Sequence, residues 1–101
     1  QALRFDIADM DVRVRAAELL VDEAARLVDE GADATAAVAR AKYYSTEGAS
    51  WVCDRAVQHF GGLGVKRGEI VERLWRDVRA LRIYEGTSEV QKLVLAKQIL
   101  G

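Results

Sequence analysis

Proline is absent from the 101 residues, so no residue of the chain forbids a long helix, and the abundance of alanine, leucine, arginine and glutamate favours one. A single cysteine, Cys53, rules out an internal disulfide. In the middle of a helical stretch such a thiol behaves as a small buried hydrophobe, and a reducing cytoplasm is the expected compartment. The one histidine, His59, has no second histidine beside it, so zinc spacing is missing, no metal is expected and His59 reads as a helix-end residue. Long apolar runs are also missing. None approaches membrane-spanning length, and the first residues lack the charged and apolar regions of a signal peptide. With a net charge of −1 there is no global electrostatic reason to bind nucleic acid or an anionic membrane.

What is present is helical periodicity. Leu3, Ile7, Met10, Val14, Ala17, Val21, Ala24 and Val28 recur at spacings of four and three, which predicts a first helix over about residues 2–29 with this seam facing the core. Gly31 ends it and Asp33 is placed to cap the next helix. The second helix is expected over residues 34–60, rich in small residues, with Tyr43, Tyr44 and Trp51 as core or interface aromatics and Gly48 marking a close crossing. A third follows over about 69–81, with Ile70, Leu74, Val78 and Leu81 on one face. Ser88 with Gln91 three residues later has the form of a capping box opening a fourth helix. One domain with a modest core is expected: an all-α, up-down four-helix bundle whose sequential helices are antiparallel neighbours. Charge is uneven along it. Residues 1–30 carry eight acids against four arginines, and residues 66–82 carry six bases against three acids, so the third helix faces something negative, either the acidic first helix or an outside anion.

Two interruptions carry chemistry. Arg82-Ile83-Tyr84-Glu85-Gly86-Thr87-Ser88-Glu89 sets a carboxylate on a short connection between Tyr84 and Gly86. Apolar neighbours there can strip away water and raise a carboxyl pKa toward that of a useful base, although an exposed loop carboxylate has the same local form. Gln58-His59-Phe60-Gly61-Gly62-Leu63-Gly64 packs three glycines into four residues. Such a loop presents N–H groups to a phosphate or a cofactor edge, or simply caps a helix.

In this order and spacing, Gln58-x-x-Gly61-Gly62-x-Gly64, Val71-Glu72-Arg73-x-x-Arg76-Asp77-x-Arg79 and Ile83-Tyr84-Glu85-Gly86-Thr87-Ser88-Glu89 resemble the C-terminal helical domain of the FAD-dependent acyl-CoA dehydrogenases. The resemblance reaches back to Gln1 and Ala8-Asp9-Met10 and so covers essentially the whole chain, as the last quarter or so of a family member. It implies that Glu85 removes the α-proton of an acyl-CoA thioester while the β-hydride leaves for the flavin, with the glutamate's own N–H among the donors that hold the thioester carbonyl. It also implies that Tyr84 and Gly86 line the substrate site. Gln58, Gly61 and Gly62, assisted by Gln1, would touch the adenosine diphosphate part of FAD bound mainly by a neighbouring subunit, and Thr87 and Glu89 would meet flavin at the start of the last helix. A homo-oligomer, dimer or tetramer, and an electron-transfer flavoprotein-like acceptor follow. A base at this later position leans toward short, medium or simple branched acyl chains. Arg73, Arg76, Asp77 and Arg79 are expected to form structural ion pairs. The isolated chain, without a flavin opposite Glu85, is expected to be inactive. The alternative is a non-enzymatic helical assembly or partner-binding module of the same superfamily, and Glu85 is the residue such a module would not need.

Overall fold

The structure, a computed structural model, describes residues 1–101 and contains only helices and turns. Helix α1 is Ala2–Asp29 and α2 is Thr35–Phe60; a tight 3-10 stretch, Gly61–Val65, leads to α3, Ile70–Arg79; a second, Ala80–Arg82, precedes the connection to α4, Ser88–Leu100. The all-α, four-helix expectation holds, and α1 begins and ends where its periodicity placed it. Asp33 does its capping work one residue early: its Oδ1 accepts from the N–H and the hydroxyl of Thr35. Gly31 (φ 71°) and Gly61 (φ 62°, ψ −133°) both take positive φ, a backbone that stops a helix at little cost only for glycine.

Helix α2 is the hub. α1, α3 and α4 each pack on it, whereas α3 and α4 hardly meet. The expectation that sequential helices are neighbours therefore fails for that pair, because the 3-10 turn and the residue 83–87 connection carry the chain around α2. Ala24 of α1 meets Ala37 and Ala41 of α2, flanked by Leu20 and Leu27. Small residues at these positions bring the two axes close, and Ser45 and Thr46 return their hydroxyls to the carbonyls of Ala41 and Lys42, which satisfies those two groups, whereas the Ser50 hydroxyl of the same helix is buried without a partner. Arg13 of α1 lies over the Trp51 ring at 4.2 Å, a cation–π contact that keeps the aromatic on the interface as expected.

Three sequence expectations are corrected. The stripe of α1 that meets α2 runs through Asp6, Met10, Arg13, Ala17, Leu20, Ala24 and Leu27, while Leu3, Ile7, Val14, Val21 and Val28 stay exposed; Met10, Ala17 and Ala24 of the expected seam are on the packing face, and its five larger aliphatic members lie to one side of it. Gly48 is buried, yet a Cβ there would meet nothing within 4 Å. It floors an open groove lined by Val14, Ala17, Val21, Val52 and Cys53 rather than a tight crossing. The core is smaller than 101 residues allow. Only alanines, glycines and Ser88 are fully buried, and no large side chain is.

The acidic first helix is not what the third helix faces. α3 has no packed contact with α1, and of Arg73, Arg76, Asp77 and Arg79 only Arg76 finds an ion-pair partner, Glu72 one turn back at 2.7 Å. An exposed pair at this spacing stabilises by only a few tenths of a kcal/mol, so the structural pairing expected of the other three is not made within the chain. No helix is long and apolar enough to cross a membrane.

Candidate active site

The residue 83–87 connection is built by a helix ending and another beginning. Ile83 and Tyr84 donate their N–H groups to the Ala80 carbonyl, closing α3 through its 3-10 extension. Thr87, in extended backbone (φ −60°, ψ 163°), then caps α4 by accepting the Val90 N–H at 3.1 Å. The capping box assigned to Ser88 is thus displaced by one residue. Ser88 is 3% exposed and gives its hydroxyl to Glu47 Oε1 at 2.7 Å, a burial that removes it from capping, while the Gln91 side chain turns back toward the Glu85 carbonyl.

Between these ends sits Glu85 at φ 56°, the one non-glycine residue with positive φ, followed by Gly86 at φ 88°. A left-handed glutamate costs about 1 kcal/mol or more relative to ordinary backbone, so the surroundings must hold it there. They do so from α2. Lys42 Nζ donates to the Gly86 carbonyl at 2.5 Å. Glu47 takes Ser88 on one oxygen and Arg82 Nη1, at 3.3 Å, on the other. The Ser88 hydroxyl, and after it Arg82, hold the Glu47 carboxyl below its ordinary value against the partial burial that pushes it up. Lys92 of α4 lies 5.1 Å from the Tyr43 ring and adds a further tie. Lys42 and Glu47 were not singled out in the sequence, and Ser88 was read only as a cap; the available signal was a pair of opposite charges, five apart, on either side of Tyr43-Tyr44-Ser45-Thr46 in the second helix.

The Glu85 carboxylate makes no hydrogen bond, and both it and Tyr84, 52% exposed, face outward from this chain. The dry pocket that Tyr84 and Gly86 led one to expect is not supplied by these residues alone.

The second set of candidate residues gathers at the other end of α2. Asp6 accepts from Arg55 Nε at 2.9 Å and pairs with His59 Nε2 at 2.7 Å; His59 first, and Arg55 after it, hold the Asp6 carboxyl below its ordinary value. That contact brings the start of α1, and with it Gln1, to the end of α2 where Gln58, Gly61 and Gly62 lie. It also gives His59 the helix-end role expected of it. The three glycines separate by function. Gly61 caps α2 with a positive φ that only glycine takes at little cost. A Cβ on Gly64 would run into the Val57 carbonyl and lie 3.0 Å from Val57 Cα, so glycine is needed there for the chain's own packing. Gly62 has neither a positive φ nor a neighbour within 4 Å of a Cβ; nothing in this chain calls for glycine at that position. Gly64→Ala should therefore destabilise the full-length protein by about 1–3 kcal/mol, since backbone must move to relieve the clash, whereas Gly62→Ala should change stability by less than about 0.5 kcal/mol. Thermal melts of the two variants side by side check this, and equal shifts would contradict it.

Gly86 is held at Lys42, sixteen residues before Gln58, which places the two sets roughly 24 Å apart along α2 at 1.5 Å per residue. Gln58, Gly61 and Gly62 lie at the end of α2 to which Asp6 ties the start of α1, the helix that follows Gln1; Tyr84, Glu85, Gly86, Thr87 and Glu89 share the other connection; the two groups are not brought to one place.

The sequence model of the family described as "Acyl-CoA dehydrogenase, C-terminal domain" matches residues 1–100. The chain is 46% identical over 99 residues to the short-chain specific acyl-CoA dehydrogenase of Clostridium acetobutylicum, covering 98% of this chain and 26% of that protein. It is 45% identical over 100 residues to the caffeyl-CoA reductase-Etf complex subunit CarC of Acetobacterium woodii, covering 99% and 26%. Among solved structures, butyryl-CoA dehydrogenase from Megasphaera elsdenii superposes with a TM-score of 0.97 at 40% identity, over 100% of this chain and 26% of that one. The chain thus spans about a quarter of the length of the relatives it matches.

Proposed function

The chain belongs to the acyl-CoA dehydrogenase family, as its C-terminal domain, and from that premise we propose that it forms part of a longer FAD-dependent enzyme that interconverts acyl-CoA and 2-enoyl-CoA thioesters, with Glu85 as the base. The observation that carries this is the left-handed backbone at Glu85. A chain that merely had to join two helices would put glycine or asparagine at that position; here a glutamate is held there from α2 while its carboxylate is left without any partner, free for a proton.

Glu85 takes the α-proton of the thioester in the oxidative direction and, by microscopic reversibility, returns it in the reductive one. Its N–H, fixed by the same turn, is placed to donate to the thioester carbonyl as charge develops there. Tyr84 and Gly86 flank the site. FAD, when bound, would supply the acceptor for the β-hydride. The fit of this chain to that group rests on the bare backbone at Gly61 and Gly62, where a side chain would fill open space, next to the exposed Gln58 and Gln1. Thr87 and Glu89 at the start of α4 would meet a flavin near the base. Separation of the two sets along α2 supports an assembly in which each copy serves two flavins, one near Glu85 and one reached from the glycine end, and hence a dimer or tetramer. A relative named as a short-chain dehydrogenase supports short acyl chains, and one named as part of an Etf complex supports an electron-transferring flavoprotein as redox partner. Cys53, half-buried with its thiol pKa pushed up by that burial, suits the reducing cytoplasm.

The full-length protein should purify with FAD, and anaerobic addition of butyryl-CoA or octanoyl-CoA should bleach it. A flavin that both thioesters leave oxidised would defeat the proposal.

A further inference from the structure

The connection bearing Glu85 is gripped at two separate heights of α2. Lys42 and Glu47 are five residues apart, about 7.5 Å along the helix axis, and their grips fall on different parts of the turn. Glu47 bridges the residues that flank it, Arg82 before and Ser88 after, and so fixes where the connection starts and stops. Of the two, only Lys42 reaches the interior, at the Gly86 carbonyl; from α4 the Gln91 side chain adds no more than a long 3.5 Å contact to the Glu85 carbonyl. One anchor at each end would still let the middle of a five-residue connection rotate; the interior anchor sets its orientation. Lys42 makes no ion pair, so the half-buried ammonium is committed to a backbone carbonyl.

We propose that Lys42 is a positioning residue for the base: by holding the Gly86 carbonyl it keeps the consecutive left-handed residues Glu85 and Gly86 in place, so that the Glu85 N–H and carboxylate are already set with respect to each other when acyl-CoA enters. This rests on the reading of Glu85 as the base. The geometry has a kinetic consequence. Misplacing a reacting group by about 1 Å can cost 10²-fold in rate, while groups that bind the bulk of the thioester and the flavin, which Lys42 does not touch, keep their affinity.

The test uses full-length, flavin-loaded protein and three variants, Lys42→Met, Lys42→Gln and Glu85→Gln, read by the rate of anaerobic flavin reduction at saturating butyryl-CoA, by KM and by flavin content. Lys42→Met, which keeps the length and apolar stem but has no donor, should slow reduction by about 10- to 100-fold with KM and flavin content within twofold. Lys42→Gln, a shorter donor, should fall between it and the parent. Should Lys42→Met reduce within twofold of the parent while Glu85→Gln is slow, the positioning role is overturned and the base assignment stands. Should Glu85→Gln itself stay within a few-fold of the parent, the base assignment fails and the proposal with it. A Lys42→Met protein that loses its flavin is replaced by Lys42→Gln, read in the same way; loss of flavin in both makes Lys42 a structural staple and overturns the proposal.

Discussion

Glu85→Gln, in the complete flavin-loaded protein, is expected to slow flavin reduction by acyl-CoA by about 10²- to 10⁴-fold, the range a positioned general base contributes. Glutamine preserves the size of the side chain and removes its ability to take a proton. It should also preserve the turn. The side-chain hydrogen bonds that hold the connection go to the Gly86 and Glu85 carbonyls, to Arg82 and to Ser88, and none involves the Glu85 side chain; the left-handed backbone costs glutamine no less and no more than glutamate. Flavin content and melting temperature should therefore stay with the parent. That separation gives the measurement its force, because a rate loss accompanied by flavin loss would point to damaged structure, whereas a clean rate loss isolates the proton transfer. A variant within a few-fold of the parent would remove Glu85 from the chemistry and favour the assembly-module alternative.

The 101-residue chain by itself should show no turnover with butyryl-CoA, FAD and an electron acceptor, and should associate in solution rather than remain a monomer. The physical basis is surface. A monomeric protein of 11.2 kDa exposes about 5,700 Å² by the usual size scaling, whereas this chain exposes 7005 Å², and its radius of gyration of 15.7 Å exceeds the ~13 Å of a compact 100-residue domain. The excess, roughly 1,300 Å², is larger than the ~800 Å² that one partner contributes to a standard interface. Much of it is apolar: Leu3, Ile7, Val14 and Val21 on α1, Ile70 and Trp75 on α3, Leu93 and Ile99 on α4. Surfaces of that kind are covered in working proteins. Light scattering on the purified chain and an assay at high protein concentration check both statements; a well-behaved monomer would contradict the first and any flavin-dependent turnover the second.

Helix positions were legible because their causes are local. The four–three spacing of α1, the absence of proline and the positive-φ glycines at 31 and 61 act within a few residues, and the helices they imply start and stop within one or two residues of those in the structure. The glycine loop was legible as a site, though not as three different jobs: only coordinates separate Gly61 as a cap, Gly64 as a close approach to Val57 and Gly62 as a position with no internal reason to be glycine. The Thr87 cap was misread as Ser88 because both residues have the chemistry of a cap; what removed Ser88 was a carboxylate forty-one residues earlier.

The amino-acid sequence by itself determined four helices, their lengths, and an acid next to a glycine on a short connection, since these follow from backbone preferences and side-chain periodicity over a few turns. Tertiary structure alone decided which stripe of α1 meets α2, that α3 and α4 stay apart, and that Lys42 and Glu47 hold the turn at Glu85. Those outcomes depend on which surfaces meet across long stretches of chain, and residues at 42, 47, 82, 86 and 88 share a site only once α2 has become the helix on which the others pack.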